Sequence, residues 1–537
     1  MSSNRRLALI APLVVLFATL LGRGYGLSVG ATSAASEDQV KVGFEKFTRL
    51  LAVVEQNYAE DVDLQNAIFQ GAIPSMLRAL DPHSQFFSPE AFKQLREDQK
   101  GQYAGVGMTI GPRQGRTVVI APFPRTPAYR AGLRPGDAIV EVDRESTESW
   151  NTTEVAKHLR GPAGTKVRIG IERRGVEGLL EFEVTRARIP RRSVPVASFL
   201  QPRVGFIRIA TFNETTGKEL DRALKKLKEP SLEGLILDLR SNRGGLLSEG
   251  VRVSDRFVEK GQTIVSHYGR ISEEKVYRAK NGNGGFLYPM IVLVNCDSAS
   301  ASEIVAGALQ DHDRALIVGE NTFGKGLVQT VYPMAQTVYP LMKAAGLALT
   351  TARYYTPSGR LIQRRYDNVS LLNYYSDPCS DRYQPTNSEV RRTDQGRQVF
   401  GGGGITPDVV LEDQRLNDFQ IALLRTHAAF ATYAQEYTLQ HPDLAPGWEA
   451  TDEIIEDFRQ FLLREKISFS EVDFIENTGF IRRFLIREVY VSAYDLEEGE
   501  EVYYQKDPDV ERALELLPKA QELLQSSRRM IAERLEP

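Results

Sequence analysis

The feature that most constrains the fold of this chain is a series of apolar segments between residues 204 and 355. Leu235–Leu239 and Met290–Asn295 consist largely of apolar residues, as is typical of strands buried on both faces of a parallel sheet. Val204–Ile209, Ala315–Gly319 and Leu347–Tyr355 are further strand candidates. Leu220, Ala223, Leu224 and Leu227 form one face of a helix that ends before Pro230. Strands and helices that alternate in this way predict an α/β domain with parallel portions.

Two polar segments interrupt this pattern. The first, Cys296–Ile304, joins a strand to a helix, so the Ser300 hydroxyl is expected at a helix N-terminus, beside unpaired N–H groups and a partial positive charge. The second, Thr322–Gln329, is a glycine turn that carries Lys325 and then Gln329. Nucleophilic catalysis needs a hydroxyl, a base and a group that orients the base. Ser300, Lys325 and Gln329 supply these three chemistries.

Lys325 can accept a proton only when its amine is neutral. Its ordinary pKa of about 10.4 must therefore be lowered by burial. The neighbouring Phe323, Leu327 and Val328 are apolar, and no acidic residue lies within four positions. Gln329 is uncharged and can orient the amine without stabilising its charged form.

An oxyanion that develops on the attacked carbonyl needs N–H donors, each typically worth about 3 kcal/mol in the transition state. Ala301, at the start of the helix, is one candidate. Gly244 or Gly245 is the second, because a turn after a buried strand presents its N–H groups with no Cβ in the way.

Other interpretations of these residues stay open at this point. A serine at a helix start is more often a cap than a nucleophile, and a lysine between two glycines is usually solvated. Ser298 and Ser302 compete with Ser300 by proximity, and His312 is an alternative base. His83, in a turn, is expected to be structural.

No metal-binding spacing such as His-Glu-x-x-His or Cys-x-x-Cys occurs, so we expect neither a metal nor another cofactor.

Residues 103–188 have a different texture, with short β runs between glycine turns and two helix candidates. Ala131–Asp137 and the loop formed by Gly105, Val106, Gly107 and Met108 resemble the turn and the carboxylate-binding loop of a PDZ domain. Consecutive N–H groups can bind a C-terminal carboxylate while a strand edge accepts the extended peptide. A structural β module without a ligand is the alternative.

The catalytic segments also resemble those of a known family. Ser298–Glu303, the Lys325 turn, Leu80–Ser84 and Gly404–Asp408 look like the motifs of the C-terminal-processing (tail-specific) serine proteases, which use a Ser/Lys pair. The resemblance singles out Ser300 as the nucleophile and implies a ClpP/crotonase-like protease core. It also implies that Arg160 lies at the contact between the PDZ domain and the protease, where it would link ligand binding to activation.

Two features depart from the family pattern. Thr330–Met334 is echoed by Thr337–Leu341, a small local duplication. A polar insertion rich in tyrosine and arginine lies between Gln363 and Gly401. It is most simply a surface loop, and the alternative is that it shapes substrate access.

The N-terminus has the pattern of an export signal. Arg5 and Arg6 precede an apolar run from Leu7 to Leu21, which is too short for a comfortable membrane span. Small residues at 31–35 offer a cleavage site far beyond that run. A cleaved signal peptide and an uncleaved anchor are both compatible with this pattern, and either places the rest of the chain outside the cytoplasm.

Composition narrows the function classes. The net charge of −3 gives no basic excess for nucleic acid, and 42% hydrophobic residues is ordinary for a globular protein. Cys296 and Cys379 are too few for a disulfide framework. Cys296 is expected to be a small buried side chain, with pairing to Cys379 left open.

The sequence therefore predicts a multidomain α/β protein: a ClpP/crotonase-like core, an inserted β-rich PDZ domain, and helical N- and C-terminal regions. The expected function is an exported serine endopeptidase that recognises protein C-termini, in the bacterial periplasm or cell envelope, with or without an inner-membrane anchor. A PDZ scaffold with an inert core and a crotonase-like acyl-CoA enzyme are the alternatives. Expected partners are protein or peptide substrates with free, apolar C-termini, and also a homo-oligomer or an adaptor.

The predicted boundaries are 1–36 for the signal or anchor, 37–98 for the N-terminal helices, 99–188 for the PDZ domain, 189–412 for the core with its insertion at about 364–400, and 413–537 for the C-terminal helices.

Overall fold

A computed structural model of the protein describes residues 37–113, 115–334, 344–367, 369–376, 389–411, 415–426 and 428–535. The chain divides into two compact units, Met1–Met76 and Leu77–Pro537. The predicted signal or anchor at residues 1–36 and the second copy of the duplication lie outside the described residues. None of the described helices is both long enough and apolar enough to cross a membrane.

The described part of the first unit is helical, as its apolar spacing predicts. Helix α1 spans Glu37–Asn57, α2 spans Leu64–Asn66, a π-helical turn covers Ala67–Ala72, and α3 spans Ile73–Arg78. The Asp63 side chain accepts hydrogen bonds from two N–H groups at the start of α2, which replaces partners that a helix end lacks.

In the second unit, strand β1 (Gln85–Phe87) precedes helix α4 (Pro89–Lys100). Sequence fixes both ends of α4. The Ser88 hydroxyl accepts the N–H of Ala91, proline occupies the first helical position, and Gly101 ends the helix at a φ of 66°.

A β-rich module follows. Its sheet has the order β3-β4-β5-β7-β8 with β6 paired to β5, and it encloses its own apolar core. Strands β2 and β9 pair with each other where the chain enters and leaves the module. The elements are β2 (Gln102–Gly105), β3 (Met108–Arg113), β4 (Arg116–Pro122), α5 (Pro127–Ala131), β5 (Ala138–Val142), β6 (Glu145–Ser146), α6 (Thr152–Leu159), β7 (Lys166–Glu172), β8 (Leu180–Thr185) and β9 (Ala187–Pro190).

The central sheet of the core has the order β10-β11-β12-β15-β16-β21 and is parallel from β11 onward. Strands β12 and β15 are buried along their whole length, as their apolar sequences predict. The elements are β10 (Val196–Gln201), β11 (Val204–Arg208), α7 (Thr216–Lys226), β12 (Gly234–Asp238), α8 (Leu247–Asp255), β13 (Thr263–Tyr268), β14 (Lys275–Arg278), β15 (Met290–Val294), α9 (Ala301–Asp311) and β16 (Leu316–Gly319).

A second, antiparallel sheet is built on β18 (Gly346–Tyr355). Strand β17 (Leu327–Pro333) pairs with one edge of β18. Strands β1 and β13 pair with the other edge, and β14 pairs with the far edge of β13. This sheet brings the Leu80–Ser84 turn, which precedes β1, close to the Lys325 turn, which precedes β17. The described parts of the insertion are α10 (Leu371–Ser376) and the strands β19 (Val390–Arg392) and β20 (Gln398–Phe400), and β21 spans Val409–Val410.

The C-terminal region is helical, as predicted. One group of its helices has a separate aromatic core around Phe430, Phe458 and Phe461. The last helices pack against the central sheet, where the rings of Phe206 and Tyr504 stack with centroids 5.3 Å apart. The helices are α11 (Asp418–Ile421), α12 (Ala429–Gln440), α13 (Asp452–Arg464), α14 (Glu471–Glu476), α15 (Thr478–Ala493), α16 (Leu496–Gln505), α17 (Pro508–Glu515) and α18 (Leu517–Leu535), with a π-helical turn at Ala422–Thr426.

Candidate active site

Ser300 lies where β15 leads into α9. Its backbone has φ 56° and ψ −110°, a conformation that residues other than glycine rarely adopt. Two contacts fix it: the Ser300 N–H donates to Glu303 Oε2 at 2.7 Å, and the Tyr354 hydroxyl donates to the Ser300 carbonyl at 3.2 Å. A strained backbone persists only where its surroundings over-determine it. The junction thus presents the Ser300 side chain at the N-terminus of α9.

The hydroxyls of the two neighbouring serines form hydrogen bonds to backbone carbonyls near the junction. Ser298 and Ser302 are fully buried. Their hydroxyls donate to the carbonyls of Leu239 and Asn242, each at 2.8 Å. Neither hydroxyl is free to attack a substrate.

Lys325 lines the same cleft as Ser300, a cavity of 350 Å³. Its amine donates to Gln329 Oε1 at 2.9 Å. Burial lowers the pKa of Lys325, while the carboxylates of Glu303 and Asp81 act in the opposite sense. The described contacts include no hydrogen bond between Ser300 Oγ and Lys325 Nζ, and such bonds are often long in unliganded enzymes.

Glu303 joins the two catalytic segments, and sequence reasoning missed it. Its buried carboxylate accepts hydrogen bonds from the N–H of Ser300, the Thr322 hydroxyl and the N–H groups of Gly324 and Lys325, at 2.6 to 2.9 Å. Burial raises its pKa, and these hydrogen bonds lower it. The signal was present in the sequence, because Ser300-x-x-Glu303 is a capping-box pattern.

His83 is part of the same cleft, although its turn is distant in sequence. Its backbone carbonyl accepts a hydrogen bond from Gln329 Nε2 at 2.5 Å, and Gln329 Oε1 in turn accepts from Lys325. Burial, and secondarily the nearby Lys325, lowers the pKa of His83 to about 4. The imidazole is therefore neutral near pH 7 and contributes to the site through the position of its backbone.

The two candidate oxyanion glycines differ. The Gly244 N–H donates to Asn242 Oδ1 at 2.9 Å, so it is already engaged. Among the described contacts, no hydrogen bond leaves the N–H of Gly245 or of Ala301. Gly245 also lines the cleft, and a Cβ there would lie 2.0 Å from the Phe212 carbonyl oxygen. Gly245 and Ala301 are therefore the pair of donors that remains available.

The β-rich module carries a second cavity of 620 Å³. Val106, Gly107 and Met108 line it, whereas Gly105 lies in β2. No described hydrogen bond leaves the N–H of Val106 or Gly107. Gly107 has a φ of 85°, and a Cβ there would approach the Thr126 Cβ to 2.4 Å. Only glycine fits this loop without distortion.

Arg160 lies at the rim of that second cavity, next to α4. Its guanidinium donates to Gln94 Oε1 and lies 5.2 Å from the centre of the Tyr103 ring. The residues that follow Gln94 on the same helix, Leu95, Asp98 and Gln99, line the catalytic cleft. Helix α4 therefore lines the catalytic cleft and, through Gln94, contacts Arg160, a lining residue of the second cavity.

Other residues singled out from the sequence lie elsewhere. His312 follows α9 and contacts Asp394 at 2.8 Å and the Thr263 carbonyl at 2.7 Å, and it does not line the cleft. Cys296 is buried and disulfide-bonded, and Cys379 lies outside the described residues. Within the described ranges, no cluster of three or more His, Cys, Asp or Glu side chains could hold a metal ion.

The chain is similar to several known proteins and domains. Residues 203–368 match peptidase family S41, and residues 118–173 match the PDZ domain. The carboxy-terminal-processing protease of Bartonella bacilliformis is 36% identical over 402 residues, which cover 72% of this chain and 89% of that protein. A carboxy-terminal processing protease of Bacillus subtilis is 32% identical over 396 residues, 73% of this chain and 82% of that protein. A solved photosystem II D1 C-terminal processing protease is 30% identical and covers 69% of this chain and 88% of that chain, with a TM-score of 0.34.

The chain belongs to the carboxy-terminal-processing proteases of peptidase family S41. The predicted fold class, an α/β protease core with an inserted PDZ domain and a helical C-terminal region, is confirmed, and so is the predicted class of C-terminal-processing serine protease. We therefore call the β-rich module, which contains the matched residues 118–173, the PDZ domain and the 620 Å³ cavity its groove.

Proposed function

We propose that this protein is an exported endopeptidase that captures the C-terminus of a protein in its PDZ groove and cleaves peptide bonds with Ser300 and Lys325. The observation that carries the proposal is the cleft itself. It contains a strained serine at a helix N-terminus together with a lysine whose amine contacts an uncharged amide and whose pKa is lowered by burial.

In the proposed reaction, the neutral Lys325 amine takes the Ser300 proton while Oγ attacks the substrate carbonyl carbon. The N–H groups of Ala301 and Gly245 stabilise the negative charge on the carbonyl oxygen. Protonated Lys325 then donates its proton to the leaving amine as the peptide bond breaks. A water molecule, deprotonated by Lys325, hydrolyses the acyl-enzyme. Gln329 orients the amine in both halves of the reaction.

The test is cleavage of an unfolded protein with an apolar tail. Ser300→Ala and Lys325→Ala should each abolish cleavage without loss of folding. Ser272→Ala and Lys275→Ala, which change residues of the same types that do not line the cleft, should retain wild-type activity. If His312→Ala abolished cleavage and Lys325→Ala did not, the assignment of the base would be wrong. A wild-type protein that binds tails and never cleaves them would favour the scaffold alternative.

We propose that the loop of Val106, Gly107 and Met108 captures the substrate tail. Gly105, the last residue of β2, precedes this loop. The free N–H groups and the apolar groove support binding of an extended peptide with a terminal carboxylate. A peptide with a free C-terminus should bind, and its amidated twin should not. Equal affinity for the two would contradict carboxylate capture.

Arg160 is proposed to couple tail binding to proteolysis through Gln94 and α4. Two observations support this route: Gln94 of α4 contacts Arg160, which lines the PDZ groove, and Leu95, Asp98 and Gln99 of the same helix line the catalytic cleft. Arg160→Ala should slow cleavage of tailed substrates, and Arg130→Ala, at an exposed position of the same domain, should not. Full activity of Arg160→Ala would remove this residue from the mechanism.

Export is proposed from the N-terminal pattern alone. N-terminal sequencing of the mature protein distinguishes a cleaved signal from a retained anchor, and fractionation of the cells locates the protein in the periplasm or at the inner membrane. A soluble cytoplasmic form with an intact Met1 would contradict export. Gel filtration with and without substrate tests for a homo-oligomer.

A further inference from the structure

The insertion reaches the active site through one short helix. Tyr374 and Tyr375, near the end of α10, flank the imidazole of His83 with ring centroids at 5.5 and 5.8 Å. Phe323, two residues before Lys325, packs against both tyrosines, and the Arg364 guanidinium lies over the Tyr374 ring. We call His83, Tyr374 and Tyr375 the His83 cluster.

The hydrogen bonds of this cluster have one self-consistent direction. Gln363 Nε2 donates to the Tyr374 hydroxyl oxygen at 3.3 Å, and the Tyr375 hydroxyl donates to the Pro82 carbonyl at 2.7 Å. Tyr375 then accepts from His83 Nδ1 at 3.0 Å, and Tyr374 donates to His83 Nε2 at 3.1 Å. Each hydroxyl donates one proton, so the chain assigns the Nδ1–H tautomer to His83.

The same imidazole belongs to the residue whose carbonyl binds Gln329. That carbonyl accepts from Gln329 Nε2, which leaves Gln329 Oε1 facing the Lys325 amine at 2.9 Å. The turn is also fixed from its other side, because Asp81 Oδ1 accepts the N–H groups of His83 and Ser84, each at 2.7 Å. A rotation of the His83 peptide would therefore release Gln329 and then Lys325.

We propose that Tyr374 and Tyr375 are positioning residues: by fixing the His83 ring and the Pro82 carbonyl, they orient Gln329 and thereby hold the Lys325 amine in the geometry of a general base. The inference rests on the proposed Ser/Lys function and extends it to the insertion. It gives this departure from the family pattern a role in catalysis. The charged and titratable groups that face His83 are Lys325, Asp81 and Arg364.

The test uses the full-length protein and compares Tyr375→Phe with the wild type. The variant keeps the ring and removes the hydroxyl that joins Pro82 to His83. We expect kcat to fall about tenfold with KM unchanged, because a small displacement of a catalytic group slows the chemical step. We also expect the acidic limb of the pH profile of kcat to move up by about one unit, because water admitted beside the amine weakens the effect of burial on its pKa. Tyr366→Phe is the matched control, since its hydroxyl has no hydrogen bond within the described residues and its ring contacts the edge of Tyr374.

A double-mutant cycle completes the test. If the His83 side chain and Tyr375 act as one unit, the kcat of the double variant His83→Ala with Tyr375→Phe should be no lower than that of His83→Ala alone. An unchanged kcat and pH profile for Tyr375→Phe would overturn the proposal. A lower kcat that only follows the loss of folded protein, with no shift of the profile, would overturn it as well. Activity retained by Lys325→Ala would instead refute the Ser/Lys pair, so the two failures are distinguishable.

Discussion

Ser300 illustrates how one residue combines strain with function. Its φ of 56° costs about 1 to 3 kcal/mol for a residue with a Cβ, and glycine adopts that region freely. We expect Ser300→Gly to be more stable than Ser300→Ala by about 1 kcal/mol after the entropy of the unfolded glycine is subtracted. Urea denaturation of the two inactive variants measures this difference. Equal stabilities would mean that the junction is not strained.

Lys325 provides a second prediction at the same scale, with a defined sign. Its folded-state pKa lies below the ordinary value of about 10.4 because of burial. At pH values below that ordinary value, the unfolded chain binds a proton more readily, so the lysine destabilises the native state there. We expect Lys325→Met to raise the free energy of unfolding at pH 7, and the gain to shrink as pH rises toward about 10.4. Denaturation curves at several pH values check this, and a gain that is independent of pH would contradict the burial argument.

The sequence was sufficient to predict candidate site residues whose chemistry depends on a local motif. Ser300, Lys325 and Gln329 could be chosen because each motif requires a particular side chain at a particular position. The partner of Gln329 could not be predicted in this way. It is the backbone carbonyl of a residue 246 positions away, and every residue has such a carbonyl. Glu303 was within reach, but its capping pattern predicts only a helix start and not its contacts with the Lys325 turn.

Glu303 acts at the scale of elements, because it joins the start of α9 to the turn before β17. Glutamine has one acceptor oxygen in place of two, so Glu303→Gln leaves some of these N–H and O–H donors without a partner. We expect a loss of stability of about 1 to 3 kcal/mol and a fall in kcat of about a hundredfold, since Ser300 and Lys325 lose their common anchor.

The matched control for this prediction is Glu229→Gln. Glu229 is also buried, and it accepts from Tyr288 and Arg256 on a different part of the core. This variant should lose stability without a specific loss of kcat. Peptide affinity of the PDZ domain should be unchanged in both variants. A normal kcat in Glu303→Gln would show that the two segments keep their geometry without the carboxylate.

Among the elements, buried strands were the easiest to predict. Strands β11, β15 and β16 differ from prediction by one residue at one end, and β12 differs by one residue at each end. The β13–β14 hairpin and β17 were not predicted, because their exposed faces interrupt the apolar pattern. Their stability comes from pairing with β18 and with each other, a contact between segments far apart in sequence. This sheet brings Lys325 into the same cleft as Ser300. The candidate site therefore depends on the strands that are hardest to predict from sequence patterns.

At the scale of the whole molecule, the proposed function assigns recognition to the PDZ groove and chemistry to the catalytic cleft. Helix α4 lines the cleft and contacts Arg160, which lines the groove. This division predicts that damage to the groove should affect only substrates that use it. Gly107→Ala places a Cβ 2.4 Å from Thr126 at a φ of 85°, so the loop proposed to bind the carboxylate must distort. We expect KM for a tailed protein to rise about tenfold, the loss of roughly 1.4 kcal/mol of binding, with little change in kcat for a short peptide that lacks a tail.

Gly175→Ala is the control, because it has the same backbone strain, a φ of 80°, with no atom within 4 Å of the added Cβ. It should lose only the stability that corresponds to the backbone strain and keep the wild-type KM. If Gly107→Ala slowed tailed and untailed substrates equally, the groove would govern the active conformation of the cleft itself, and α4 would then transmit a change of state in addition to bringing the substrate near. If neither substrate were affected, tails would reach the cleft without the PDZ domain. The effect of Gly107→Ala on tailed substrates relative to untailed ones therefore distinguishes tethering of the substrate from activation of the cleft.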